Sequence, residues 1–325
     1  MKKILISRTD NIGDVVLTLP LAFYLKKEFP NIELVFLCKN YTKAIVECTD
    51  VFNEIWTLEE LKLKSAEEVK KSKIDAVIHV FPNKEVSSFF KKCKIPIRIG
   101  TSHRWFHWLT CNKKVDFTRK NSDLHEAQLN FKLLQALFEI KIPALSELND
   151  LFEKFFKVNN EVLLKKESLP IHSIIIHPKS NASAVEYPIE KYIALAKKLL
   201  EKGEKIVFTG TEKEGIEFRH LIPIHPNCFD YTGRFTLSEF ISFLSKQKSF
   251  ISCSTGPYHI AGVLGIQSIG LFSAQKPIHP GRWKALGNNV KVIQYDSNCE
   301  NCRKKKRCYC IQNIEVDEII RNINF

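Results

Sequence analysis

Two short segments place chemically capable residues where an apolar run gives way to a helical pattern. The first, Asp10-Asn11-Ile12-Gly13-Asp14, follows the strand-like run Lys3–Ser7 and precedes a helical pattern from Val15 to Glu28. The second, Ser254-Thr255-Gly256-Pro257-Tyr258-His259, follows the apolar run Ser249–Cys253 and leads into a helix over Tyr258–Leu264. In α/β structures the C-terminal ends of strands open a crevice, and the helix N-termini there offer unpaired N–H groups to anions. The first segment brings carboxylates, which can take a proton from a hydroxyl. The second brings hydroxyls and turn N–H groups, which can hold a diphosphate. Two such turns, one per half, imply two nucleotide-type domains facing across a cleft.

Within these segments each residue has a chemical reading and a structural one. Asp14 is either a general base at the mouth of a glycine turn or a cap for the helix from Val15, and on pattern alone the two stand level. Asp10 reads as a turn residue. Gly13, with Asn11 beside it, lets the backbone turn or approach a bound substrate. Thr255 and Gly256 cradle a diphosphate or form a ligand-free turn, with Ser254 next to them. His259 reads as a residue that fixes this turn or bonds a phosphate rather than as a base. Glu212, after the strand-like run Lys205–Thr209, stands where dinucleotide folds set an acid against ribose hydroxyls, and equally where a helix dipole favours an acid.

The chain must supply elements to hold these residues. Its 325 residues exceed one comfortable core, so two domains are expected, 1–160 and 161–325. Strands are expected at Glu33–Leu37, Asp75–Val80, Ser173–His177 and Ser268–Leu271, with helices at Ser65–Lys73, His125–Phe138, Ile189–Glu201, Glu212–His220, Leu237–Lys246 and Val316–Asn322. Capping boxes Ser65/Glu68 and Thr236/Glu239 set two of the helix starts, and Pro188 suits a first helical turn. Alternating strands and helices imply a parallel sheet covered on both faces. Gly100–Asp123 breaks the alternation and reads as a long surface excursion, and 140–172 as a charged bridge.

No apolar stretch is long enough to span a bilayer, and Met1-Lys2-Lys3 leads into no signal-peptide core, so a cytoplasmic protein is expected. The net charge of +13 is uneven. Ten Lys or Arg between Lys84 and Lys120 face only Glu85 and Asp116, and Arg303–Arg307 forms a second run. Such patches serve anionic surfaces, acidic substrates or nucleic acid, or are simply solvated. No nucleic-acid motif accompanies them, so nucleic acid ranks well behind. Of ten cysteines six are scattered and four cluster as Cys299-x-x-Cys302-x5-Cys308-x-Cys310. Packing is the default reading of the cluster; a redox-reactive surface thiol set and structural zinc are alternatives, although one residue between Cys308 and Cys310 is an unusual ligand spacing.

The run Ile4-Leu5-Ile6-Ser7-Arg8-Thr9-Asp10-Asn11-Ile12-Gly13-Asp14 through Pro20 resembles the N-terminal signature of glycosyltransferase family 9, the heptosyltransferases of lipopolysaccharide core assembly. Thr232-Gly233-Arg234 with Leu237 and Glu239, then Ser254 through Gly265, Leu271-Phe272, Trp283 and Pro188 resemble its C-terminal half. The resemblance implies a GT-B fold: two Rossmann-like domains with parallel sheets facing across a cleft, the first binding acceptor and the second the nucleotide sugar, with the final helix packing back on the first. It implies Asp14 as the base of an inverting transfer, Thr255 and Gly256 at the diphosphate, Glu212 at the ribose, ADP-heptose as donor and no metal for the chemistry. It further implies an anionic glycolipid acceptor met by Arg98, Arg104, Lys113 and Lys114, with Trp105, Phe106 and Trp108 dipping toward the inner face of the inner membrane. Two positions depart from first-heptose enzymes, Val185 where they carry Lys and Ser254 where they carry Asp. Lys179 or a residue near Lys276 is then the replacement cation. Another nucleotide sugar, or a binding protein without catalysis, stays open, as does the oligomeric state.

Overall fold

Ile4, Leu5 and Ile6 are all wholly buried, which three successive strand residues can be only inside a sheet covered on both faces. The computed structural model describes residues 1–118, 122–158, 169–304 and 308–325; readings that fall on Arg119 and Lys120, on 159–168 of the bridge, and on Lys305, Lys306 and Arg307 lie outside them. The chain divides into two units, Met1–Lys157 and Val158–Phe325.

Among the described residues the first unit holds a six-stranded parallel sheet of β1 (Lys3–Ser7), β2 (Glu33–Cys38), β3 (Glu54–Thr57), β4 (Ala76–His79), β5 (Ile97–Thr101) and β6 (Lys113–Val115), in the order β3-β2-β1-β4-β5-β6. The second holds β7 (Ile174–His177), β8 (Ile206–Phe208), β9 (Cys228–Asp230), β10 (Ser249–Cys253), β11 (Gln267–Leu271) and β12 (Val290–Ile293), again all parallel, in the order β12-β11-β10-β7-β8-β9. The two orders are equivalent, and each reverses once: between β1 and β4, with Ser7 opposite His79, and between β7 and β10, with His177 opposite Ser252. At such a reversal the loops leaving neighbouring strands diverge, and the strand ends open as a crevice.

Three expected segments are rebuilt. The segment Gly100–Asp123 is not a loose excursion. β5 ends at Thr101, a helix spans Trp105–Thr110 and β6 continues the sheet, because the Arg98 guanidinium and Asn112 amide tie the strand and helix ends together. The bridge contains a helix, Leu145–Phe155, whose Phe152 and Phe155 pack on Phe23 at ring separations of 5.3 and 5.5 Å. The helix expected over Val15–Glu28 is two helices, Ile12–Val16 and Leu19–Glu28. Pro20 lies in the first turn of the second, where its missing N–H costs nothing, whereas a continuous helix would have lost a bond there.

Both expected capping boxes form, and Pro188 is the N-cap of Ile189–Glu201 rather than a first-turn residue. The closing helix, Val316–Arg321, joins its own unit's core: Ile319 and Ile320 cluster with Leu195, Ala196 and Leu199, and Lys198 pairs with Asp317 at 2.7 Å. No described helix is long and apolar enough to cross a membrane.

Candidate active site

At the mouth of β1 the organising group is a cation. The Arg8 side chain is 3% exposed, and its fork meets three carboxylates: Nε on Asp10 at 2.7 Å, Nη2 on Asp14, and Nη1 on Glu126 at 3.4 Å. Glu126, 1% exposed, comes from the first turn of the helix Glu126–Leu134. That helix is aligned by His125, whose Nδ1 accepts the Ala127 N–H, and by Asn130, whose amide donates to the Leu17 carbonyl and Thr18 hydroxyl. Buried among carboxylates, the guanidinium gains more from their charge than desolvation takes away, and its pKa rises.

Asp10 is pushed up to about 6, first by burial and then by the Asp14 charge, against the pull of Arg8. Asp14 does not cap the helix: the N-cap is Asn11, and Asp14 lies one turn in, its carboxylate turned back on Arg8. An Asp in that turn also suits the helix dipole. The carboxylates of Asp10 and Asp14 are 14% and 15% exposed, so solvent or a hydroxyl can reach both. The Asn11 side chain accepts from the Tyr41 hydroxyl at 3.3 Å, and the same hydroxyl donates to the Asp10 carbonyl at 2.7 Å. Gly13 sits inside the helix Ile12–Val16 without a positive φ, so the turn does not need it; only the close-approach reading survives. Sequence reading passed over Arg8 and Glu126 as site residues. A charged residue closing the run Ile4-Leu5-Ile6-Ser7 was the available signal for Arg8; Glu126, far off in the chain, offered none.

Leaving β10, Thr255 is the N-cap of Gly256–Val263, and its Oγ1 accepts the Tyr258 N–H at 3.2 Å. The oxygen is thus used structurally, and the hydroxyl also lies 3.4 Å from Ser252 Oγ, whose own proton goes to the Cys253 carbonyl, so a bound anion would take the Thr255 proton in place of Ser252. Pro257 has no N–H, so the Gly256 amide is the first-turn donor left at this end. Ser254 is buried, and its carbonyl accepts from Ser183 at 3.0 Å, which ties the loop after β10 to the loop after β7 across the sheet reversal. His259 is buried behind the turn, with Trp283 at 6.4 Å between ring centres. The Arg282 guanidinium, also buried, lies over the Trp283 ring at 5.0 Å. Sequence reading marked the Lys276 neighbourhood but not Arg282 itself.

Two expected donor contacts are already engaged. Lys179 pairs with Glu217 at 2.7 Å and Glu186 at 3.2 Å, which raises its pKa and cancels its charge. Val185 packs against the apolar core, so no cation occupies its place. Glu212 holds Arg219 through two bonds of 3.0 and 2.9 Å, and that guanidinium keeps its carboxylate below the usual range. The Gly233 backbone, at φ +71°, lies against it; a Cβ there would come 2.4 Å from a Glu212 oxygen.

Of the basic residues expected at an acceptor, Arg98 is structural: its guanidinium donates to the carbonyls of Thr110 and Ile95. Arg104, Lys113 and Lys114 are exposed, Lys113 reaching the Ala136 carbonyl and Lys114 covering the Trp108 ring. The thiols of Cys299, Cys302, Cys308 and Cys310 all lie within 4.8 Å of one another.

Comparison with known proteins gives a consistent picture. The family model for glycosyltransferase family 9 (heptosyltransferase) matches residues 62–311. A Haemophilus influenzae protein provisionally assigned as a glycosyltransferase is 26% identical over 346 residues, covering 100% of this chain and 96% of its own. Lipopolysaccharide heptosyltransferase 1 of Campylobacter coli is 24% identical, covering 98% and 97%. Among solved structures, a family 9 glycosyltransferase of Veillonella parvula superposes with a TM-score of 0.80 at 20% identity, covering 99% of this chain and 96% of its own. The ADP-heptose lipopolysaccharide heptosyltransferase II of E. coli gives 0.74 at 16% identity, covering 99% and 97%. The fold is therefore GT-B.

Proposed function

Because the chain belongs to glycosyltransferase family 9, we propose that it moves a heptose from ADP-heptose, with inversion, onto a sugar of the lipopolysaccharide core. One observation supports the chemistry above the others: the Asp14 carboxylate is solvent-accessible at the mouth of β1 and oriented by a buried arginine. In the proposed step an acceptor hydroxyl oxygen attacks the anomeric carbon of the donor. The bond from that carbon to the diphosphate breaks, the diphosphate leaves with the electron pair, and the hydroxyl proton passes to Asp14.

In this reading the first unit binds the acceptor and the second the donor. The Gly256 N–H, the Thr255 hydroxyl and the dipole of the helix behind them face the diphosphate, where negative charge grows as the bond breaks. Glu212 follows β8, the second strand of its unit, where such folds set an acid against the ribose; Arg219 leaves it lone pairs to accept from hydroxyls. Lys179 is a poor phosphate cation, because two carboxylates already neutralise it.

A lipid-linked acceptor is held at a membrane surface. Trp105, Trp108 and Leu109 are 64%, 63% and 63% exposed on one short helix, with Lys84 and Lys114 over the two indoles. Such amphipathic rings beside cations favour the interface of an anionic leaflet, which supports peripheral binding at the cytoplasmic face.

Ser254 and the packed Val185 favour a second reading, the same chemistry with another nucleotide sugar. A panel of nucleotide sugars offered with Kdo-bearing lipid acceptors separates the two by product mass. The proposal expects a heptose added from ADP-heptose alone. Transfer from a different donor overturns the sugar assignment, and no transfer from any donor overturns the function.

A further inference from the structure

Between Ile293 and Ile311 the described residues bury no apolar side chain except cysteines. Tyr295 and Tyr309, the aromatic residues of this stretch, are both exposed. Cys299, Cys302 and Cys310 are buried and Cys308 half-buried, and together with Ala274 they make a small cluster of their own. A segment this poor in apolar groups has little to offset the entropy of ordering it. The four thiols nevertheless converge, at 3.4 Å between Cys299 and Cys308, 3.9 Å between Cys302 and Cys310, and 2.9 Å between Cys308 and Cys310. None of these is a disulfide, whose sulfurs lie about 2.05 Å apart. A tetrahedral ion with bonds of about 2.3 Å would hold its four sulfurs about 3.8 Å from one another.

We propose that Cys299, Cys302, Cys308 and Cys310 form a closed tetrathiolate site for one thiophilic transition-metal ion such as Zn2+. Cys299 and Cys302 are the N-cap and third residue of the short helix Glu300–Arg303, the spacing that turns two thiols to one side. Cys308 and Cys310 overcome their short spacing through a turn in which the Cys310 N–H points at the Cys308 sulfur at 3.4 Å, a bond that favours thiolate over thiol. Four thiolates around a divalent ion leave two negative charges. Arg303, next to Cys302 in the helix Glu300–Arg303, supplies compensating positive charge. With four protein ligands the ion has no open position, so its work is structural. It substitutes for a core beneath the segment that follows β11, at Ala274.

The test uses the full-length chain purified without chelator. Elemental analysis is expected to find about one zinc or iron per chain. Titration with an organomercurial should release the metal into a chromogenic chelator in step with modification of four thiols. Cys299→Ser and Cys310→Ser should each lose the metal, while Cys228→Ser, at a half-buried cysteine on β9, should retain it. Reconstitution with Co(II) should give thiolate-to-cobalt charge-transfer bands. Absence of stoichiometric metal overturns the site, whether the four sulfurs are found as free thiols or paired in disulfides. Metal that survives the Cys299 and Cys310 substitutions overturns it as well.

Discussion

Replacing Arg8 with Met tests whether one buried cation organises the mouth of β1. The side chain is 3% exposed and stands between Asp10, Asp14 and Glu126, the last 1% exposed. Without it, up to three carboxylates face one another with no counter-charge from this residue. Removing one partner of a buried ion pair costs about 3–5 kcal/mol, because the charge left behind has neither water nor a partner. Against a total stability of about 5–15 kcal/mol, that is a large fraction. With a urea slope of about 2 kcal/mol per molar, the unfolding midpoint of the first unit should fall by about 2 M. The cost should be smaller at pH 5 than at pH 8, since the stranded carboxylates can then take up protons. Arg8→Lys restores the charge without the three-way fork and should recover only part of the loss. Urea unfolding of the three proteins at both pH values decides the matter. An Arg8→Met midpoint equal to wild type at pH 8 would refute the role given to this residue.

Asp10 carries its own pH signature. Its folded pKa, about 6 against an ordinary 3.8, means that it favours the fold below pH 4 and that this contribution is lost as pH rises to 6. The amount is on the order of 3 kcal/mol. His79 and His177, depressed by burial to about 3 and about 4, act oppositely and lose their contribution as pH falls below 6.5, so the curve to measure is wild type minus Asp10→Asn. That difference should grow in favour of Asn between pH 4 and 6 and be flat above; a flat difference throughout would exclude the shift. Thr255→Ala should cost about 1 kcal/mol from the lost cap and raise the donor KM, while Thr255→Ser restores both; thermal unfolding with donor-saturation kinetics measures the two effects. Trp105→Ala with Trp108→Ala should weaken binding to anionic vesicles several-fold without changing the fold, since both rings are mostly exposed; unchanged co-sedimentation would remove the membrane reading.

Much of the architecture was readable because the period of the apolar residues changes with the element. Ile4-Leu5-Ile6 and Ile174-Ile175-Ile176 have no polar face, so they belong in a buried parallel strand, and both occupy one. The Ser65 and Thr236 boxes fixed helix starts because each turns on a local bond three residues long. Trp105–Thr110 was missed for the opposite reason. Three of its four apolar side chains face outward, which erases the helical period. Leu145–Phe155 does carry a helical period, Leu145, Leu148, Leu151, Phe152 and Phe155, which the charged residues on either side of it obscure when the stretch is read as a bridge. At the candidate site, Asp14, Thr255 and Glu212 were visible because turn chemistry is local. Arg8 joined to Glu126 across 118 positions was not, because no local rule relates such distant residues.

The central claim is that Asp14 takes the acceptor proton, and one substitution isolates it. Asp14→Asn keeps size and much of the hydrogen bonding while removing the basic oxygen. Turnover should fall by about two to four orders of magnitude, with nucleotide affinity, measured by calorimetry on the same preparation, unchanged. Transfer at the wild-type rate by Asp14→Asn would contradict the account.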